Sequence, residues 1–198
     1  MNLSAYTIGF AMTGSYCTYQ SVFAQMKALK ATGANIIPIF SKQAQTTSCR
    51  FGNSEAFLQT ATEICQTQPL LTIPEVEPIG PKRMLDLLVI APCTGNTLAK
   101  LANGITDSPV LMAAKSHLRT ERPLVIALAS NDALGQNFKN IGLLYNTKHV
   151  YFVPMGQDNW IQKPNSLVAH MDLLLPTIQA ALEEKQLQPI LQYYPETY

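Results

Sequence analysis

Charge is scarce in this chain. Asp, Glu, Lys and Arg make up 14% of its 198 residues, where a globular protein carries about a quarter. The few charges nearly cancel, 14 basic against 13 acidic, for a net charge of +1. No basic run exists, which argues against nucleic-acid binding through phosphate neutralisation. Long apolar runs are missing too: none approaches the roughly 18 residues of a membrane span. Met1–Tyr6 holds no Lys or Arg ahead of the apolar run ending at Met12, so no signal peptide is expected. Cys17, Cys49, Cys65 and Cys93 stand far apart with no C-x-x-C. Free thiols in a reducing cytoplasm are expected, not a disulfide framework or a zinc site. His117, His149 and His170 lie neither beside a nucleophile nor at metal-ligand spacing. We read all three as structural or surface residues. A surface so poor in charge implies that part of it is covered, most simply by further copies of the chain.

The remaining composition is that of a globular core, with 47% hydrophobic residues. Its length fits one domain, taken as residues 1–191 with a tail at 192–198. Short apolar runs alternate with helix-like segments. Strands are expected at Tyr6–Met12, Asn35–Phe40, Leu85–Ala91, Pro123–Ala129 and His149–Pro154. Pro38 within the second points to a sheet edge. Helices are expected at about Tyr19–Thr32, Ser54–Gln66, Thr94–Ala102, Ser108–Leu118, Gly135–Tyr145 and Ser166–Lys185. Gly33 stands where a helix C-cap glycine belongs, and Pro164-Asn165-Ser166 reads as a helix start. Cys65–Arg83 reads as a long loop over the ligand side. The alternation predicts βαβ units and an α/β, Rossmann-like three-layer sandwich around a parallel sheet. Ligands of such sheets bind beyond the carboxyl ends of the strands.

Those strand ends carry the polar clusters. After the first come Thr13, Gly14 and Ser15, a turn whose N–H groups suit a phosphate or carboxylate. A tight strand–helix turn capped by the serine explains them equally well. No G-x-G-x-x-G is present. Ser41 follows the second strand, then Arg50, whose planar fork suits an oxyanion but which also reads as a solvated loop arginine. After the third strand, Thr94, Asn96 and Thr97 crowd a helix start, and Lys100 lies one turn on. Capping uses Thr94 and leaves a polar excess. After the fourth come Asn131 and Asp132. The aspartate is the one carboxylate placed to serve as a base, though a cap is its commoner use.

Ala91-Pro-Cys-Thr-Gly-Asn-Thr-Leu-Ala-Lys100, followed by Asn103-Gly-Ile-Thr-Asp107, resembles the P-A-S-A-N-T…K…G…D motif of the FMN-binding cysteine decarboxylase-like flavoproteins. Thr13-Gly14-Ser15 is similar to that family's phosphate-binding turn, and Ser41 to a serine that contacts FMN. The resemblance extends over nearly the whole chain to one branch, the B subunits of spore dipicolinate synthase. It runs through Gly14–Tyr19, Arg50–Gly52, Glu77–Lys82, Asp107–Lys115, Ser130–Gly135, Val153–Asp158, Lys163–Ser166 and Leu187–Leu191.

The resemblance implies a Rossmann-like fold assembled as trimers or dodecamers. It implies FMN at Thr13, Gly14, Ser15, Ser41, Thr94, Asn96, Thr97 and Lys100. It also implies an oxidoreductase component, active in the mother-cell cytoplasm during sporulation. There it would act with an A subunit that supplies NADP, oxidising a dihydrodipicolinate-type precursor to dipicolinic acid. Arg50, Lys82 and Asn131 are the candidates for the small dicarboxylate substrate. Two departures bear on this. The histidine that the decarboxylases carry before the third strand is absent from Thr67–Arg83. Their P-x-M-N-x-x-M clamp is replaced by Ala127–Leu134, with Asn131 as its surviving asparagine. Decarboxylation is therefore the least favoured activity. A non-catalytic substrate-binding or activating subunit on the same scaffold stands as the alternative.

Overall fold

A computed structural model describes residues 2–194. Its sheet has seven strands: β1 (Thr7–Met12), β2 (Asn35–Phe40), β3 (Leu87–Cys93), β4 (Leu124–Ser130), β5 (Val150–Phe152), β6 (Met155–Gly156) and β7 (Leu167–Ala169). They run in the order β2-β1-β3-β4-β7-β6, with β5 also on β4. The first five strands are parallel, as expected. The last two are not: β7 runs antiparallel to β4 and to β6. Two strands divide one edge of β4 between them. Leu124–Ile126 pairs with β5 and Ala129–Ser130 with β7. Pro38 does sit in an edge strand, β2, where its missing N–H costs no ladder bond.

Helices cover both faces. They are α1 (Tyr19–Ala31), α2 (Lys42–Thr46), α3 (Ser54–Cys65), α4 (Ile73–Val76), α5 (Gly95–Ala102), α6 (Pro109–Leu118), α7 (Phe138–Tyr145) and α8 (Leu174–Leu182). Alternation along the strands assigns each face its core. Leu87, Val89, Val125 and Ala127 pack with Val22, Met26, Phe57 and Ile178 of α1, α3 and α8. Leu88, Ile90, Leu124 and Ile126 pack with Leu98, Val110 and Ala114 of α5 and α6. All seven residues of β3 are buried, so the central strand is covered on both sides, which favours a parallel ladder. Gly33 has φ +90° just past α1, a left-handed turn that glycine takes without strain.

Three expectations need correction. No helix starts at Ser166, because Leu167–Ala169 is strand β7 and α8 begins only at Leu174. Pro176 explains the late start, since proline is tolerated in the first turn of a helix and not in its middle. Cys65–Arg83 is not a loop over the ligand side. Leu70 joins the edge of β2, exchanging backbone bonds with Pro38 and Phe40. Ile73–Val76 then forms α4, Glu77–Ile79 a 3-10 turn, and the chain returns to the amino end of β3. Part of the expected tail is also docked. The Met155 carbonyl accepts the Gln192 N–H at 3.0 Å, and Tyr194 stacks on His170 with centroids 3.9 Å apart. The rest of that tail lies outside the described residues.

Candidate functional site

At the carboxyl ends of β1, β2 and β3, three connections meet around one cavity of about 300 Å³. Its lining comes from Thr13, Gly14 and Tyr16 after β1, Ser41, Gln43 and Thr47 after β2, and Thr94, Asn96 and Thr97 after β3. The chain thus brings together six of the residues singled out in the sequence: Thr13, Gly14, Ser41, Thr94, Asn96 and Thr97. Tyr16 lies within the Gly14–Tyr19 segment of the resemblance without having been given a role, and Gln43 and Thr47 carried no motif that marked them.

Thr13 is the joint of the site. It is 1% exposed. Its hydroxyl donates to the Pro92 carbonyl at 2.7 Å and accepts the Thr94 N–H at 3.0 Å. The end of β1 is thereby fastened to the turn between β3 and α5. Thr94 caps α5, its hydroxyl accepting the Thr97 N–H at 3.2 Å and donating to the Thr97 hydroxyl at 3.0 Å. The first N–H groups of α5 have no partner within the helix, and its dipole favours an anion there. Asn96 opens this turn, and its exposed side-chain amide bonds to no other described residue. Ser41 is buried and caps α2 through Ala44 N–H at 3.3 Å, while its own N–H reaches the Met12 carbonyl.

Gly95 explains how closely α5 approaches β4. A Cβ there would stand 2.6 Å from Ser130 Oγ and 2.8 Å from Asn137 Nδ2. Beneath the cavity, burial holds the thiol of Cys93 and the hydroxyl of Tyr19 far above their ordinary ranges. Both therefore stay protonated. Tyr19 is spent on the Thr13 carbonyl at 3.0 Å. Among the described residues that line the cavity, none is charged. The lining thus offers a ligand neutral groups only, with no carboxylate or imidazole among them.

Other candidates stand apart from the lining. Ser15 makes no side-chain cap bond, and its hydroxyl lies 3.9 Å from Cys17 Sγ. Lys100 is paired with Asp107 at 2.5 Å. Arg50 is exposed at the tip of the Cys49–Gly52 turn, its guanidinium 4.8 Å over the Phe51 ring. Asn131 and Asp132 are exposed in the turn after β4, where Asp132 accepts from Asn137 Nδ2 at 3.4 Å. Lys82 lies in the turn before β3, at the amino end of the sheet, opposite the cavity. Parallel pairing requires this, since a residue shortly before β3 falls where β1 begins. Of the histidines, His117 is 1% exposed and holds the Pro123 carbonyl at 3.0 Å.

Residues 1–174 match the family described as Flavoprotein. The B subunit of dipicolinate synthase from Bacillus subtilis is 47% identical over 190 residues, which are 96% of this chain and 95% of that one. The chain belongs to the flavoprotein family, in the branch of the dipicolinate synthase B subunits. The crystal structure of the corresponding B subunit from Bacillus halodurans superposes with a TM-score of 0.90 at 47% identity, covering 98% of this chain and 99% of that one. The FMN-dependent cysteine decarboxylase SpaF gives 0.69 at 21% identity, covering 91% and 97%. At that identity SpaF bears on the fold alone. The chain thus shares its overall fold with these proteins. No helix among the described residues is long and apolar enough to cross a membrane.

Proposed function

We propose that the cavity binds FMN by its phosphate end, and that the chain is the flavin-carrying subunit of a dipicolinate-forming enzyme. The observation that carries this is the donor set. Hydroxyl-bearing residues from three strand ends and the opening turn of α5 line one space, with no carboxylate among them to repel an anion. Thr13, Gly14, Thr94, Asn96 and Thr97 would hold the phosphate, with Ser41 beside them and Ser15 on the rim. Bound there, FMN would supply two-electron redox chemistry. The protein would supply binding and orientation.

The substrate is a dihydrodipicolinate-type dicarboxylate. Its conversion to an aromatic pyridine dicarboxylate removes a hydride equivalent and a proton. An A subunit carrying NADP is the partner and the final acceptor of the hydride, and the assembly holds several copies of the chain. Arg50 is the candidate cation for a substrate carboxylate; its turn rests on Phe57, whose ring stacks on Tyr16 of the cavity lining. Lys82 would meet substrate only across a subunit boundary. Asn131 and Asp132 follow Ser130, which lies against Gly95 at the start of α5, with Asp132 the one candidate base.

A second reading is favoured by the uncharged lining. Without an acid or base in its cavity lining, the subunit could bind and orient substrate while the partner performs the chemistry. Titration of the purified chain with FMN, followed by flavin fluorescence, separates the two. Saturable one-to-one quenching supports the flavin-carrying role. No quenching, with dicarboxylate binding retained, supports the second reading and overturns the first.

A further inference from the structure

One wall of the cavity is neither a hydroxyl nor an amide of the anion-binding turns. Tyr16 lies in the short 3-10 turn after Ser15, and its ring folds back over Gly14. A Cβ built on Gly14 would stand 3.6 Å from the Tyr16 hydroxyl and 3.7 and 3.8 Å from two of its ring carbons. From there the hydroxyl donates to the Gln43 carbonyl at 2.8 Å. Gln43 belongs to α2, on the connection from β2. This single bond therefore spans from one lining segment to another, with Gly14 on one side and Gln43 and Thr47 on the other.

The two ends of Tyr16 are held differently. Its ring is backed by Phe57, stacked at 6.1 Å and 19°, and by Tyr19 at 5.2 Å. Its tip is held by one solvent-exposed hydrogen bond. Water competes for both partners of such a bond, so its net strength is small and thermal motion opens it readily. The Gln43 carbonyl also keeps the Thr47 N–H at 3.0 Å, so α2 does not unravel when Tyr16 leaves.

We propose that Tyr16 is a gate over the anion-binding turn, and so selects what enters. While its hydroxyl is tied to Gln43 the ring covers Gly14, and only small anions pass. A phosphomonoester carrying a ring system enters when the tie opens. This rests on the FMN reading above.

The test is stopped-flow mixing of FMN with the parent chain and with Tyr16→Phe, which keeps the ring and its stacking but removes the tie. Association should quicken about 2- to 10-fold, the rate equivalent of one exposed hydrogen bond. The affinity should rise by the same factor, with dissociation unchanged. A merely structural tyrosine would instead give faster dissociation and weaker binding. Unchanged or slower association in Tyr16→Phe overturns the gate and leaves FMN binding standing. Failure of both proteins to bind FMN overturns the gate and the FMN reading together.

Discussion

Replacing Thr13 with valine keeps the shape of the side chain and removes its hydroxyl. The position is 1% exposed, so water does not fill the vacated role. Thr94 N–H loses its acceptor at 3.0 Å, and the Pro92 carbonyl loses a donor at 2.7 Å. A buried polar group stripped of its partner costs about 1–3 kcal/mol. Two such losses, partly relieved by a slight shift of the turn, come to about 2–4 kcal/mol. For a chain of this size that lowers Tm by about 5–15 °C. Thr13→Ser is the control. It keeps both bonds and gives up one methyl, about 0.8 kcal/mol. Thermal unfolding followed by circular dichroism measures all three proteins. Thr13→Val melting within about 2 °C of the parent would refute the view that this hydroxyl fastens β1 to α5.

Further expectations concern pH and packing. Burial pushes His117 from its ordinary 6.5 down to about 4, its bond to the Pro123 carbonyl opposing this only in part. Between those values the unfolded chain holds a proton that the folded chain does not. Stability therefore falls as pH drops through that window, by about 3 kcal/mol in total. His117→Gln should flatten the slope in urea titrations between pH 6.5 and 4, and equal slopes would show that another group is responsible. Gly95→Ala should cost about 1–3 kcal/mol by overpacking, because its Cβ would lie 2.6 Å from Ser130 Oγ. Adding Ser130→Ala should restore part of the loss in chemical denaturation, and strict additivity of the two changes would count against the contact.

Much of this architecture is legible in the residues, for identifiable reasons. Asn35–Phe40 is an apolar run between a helix-terminating glycine and a serine cap, and β2 occupies those residues. Thr94 sits one residue before α5 because a cap hydroxyl belongs there. Ser166–Lys185 resists such a reading for an equally specific reason. A three-residue strand such as Leu167–Ala169 is too short to show a period, and its apolar residues merge with those of the helix that follows. Pro176 holds the information that separates them. Lys82 belongs to a long polar connection that suggests a ligand loop, although its nearness to β3 fixes it at the amino end of a parallel sheet. Tyr16, Gln43 and Thr47 are invisible as a group, because only folding brings the connection after β1 beside the connection after β2.

The uncharged lining of the cavity has a consequence for how binding responds to solution conditions. Attraction between exposed charges weakens as salt is added, with a Debye length of about 8 Å at physiological ionic strength. Here the groups on offer are amide N–H groups and the hydroxyls of Ser41 and Thr97, while those of Thr13 and Thr94 donate within the protein; none carries a net charge or titrates near neutrality. An anion in this cavity would gain little from long-range steering and lose little to screening. Its affinity would follow pH chiefly through the ligand itself, as a phosphate monoester takes up its second proton near a pKa of about 6.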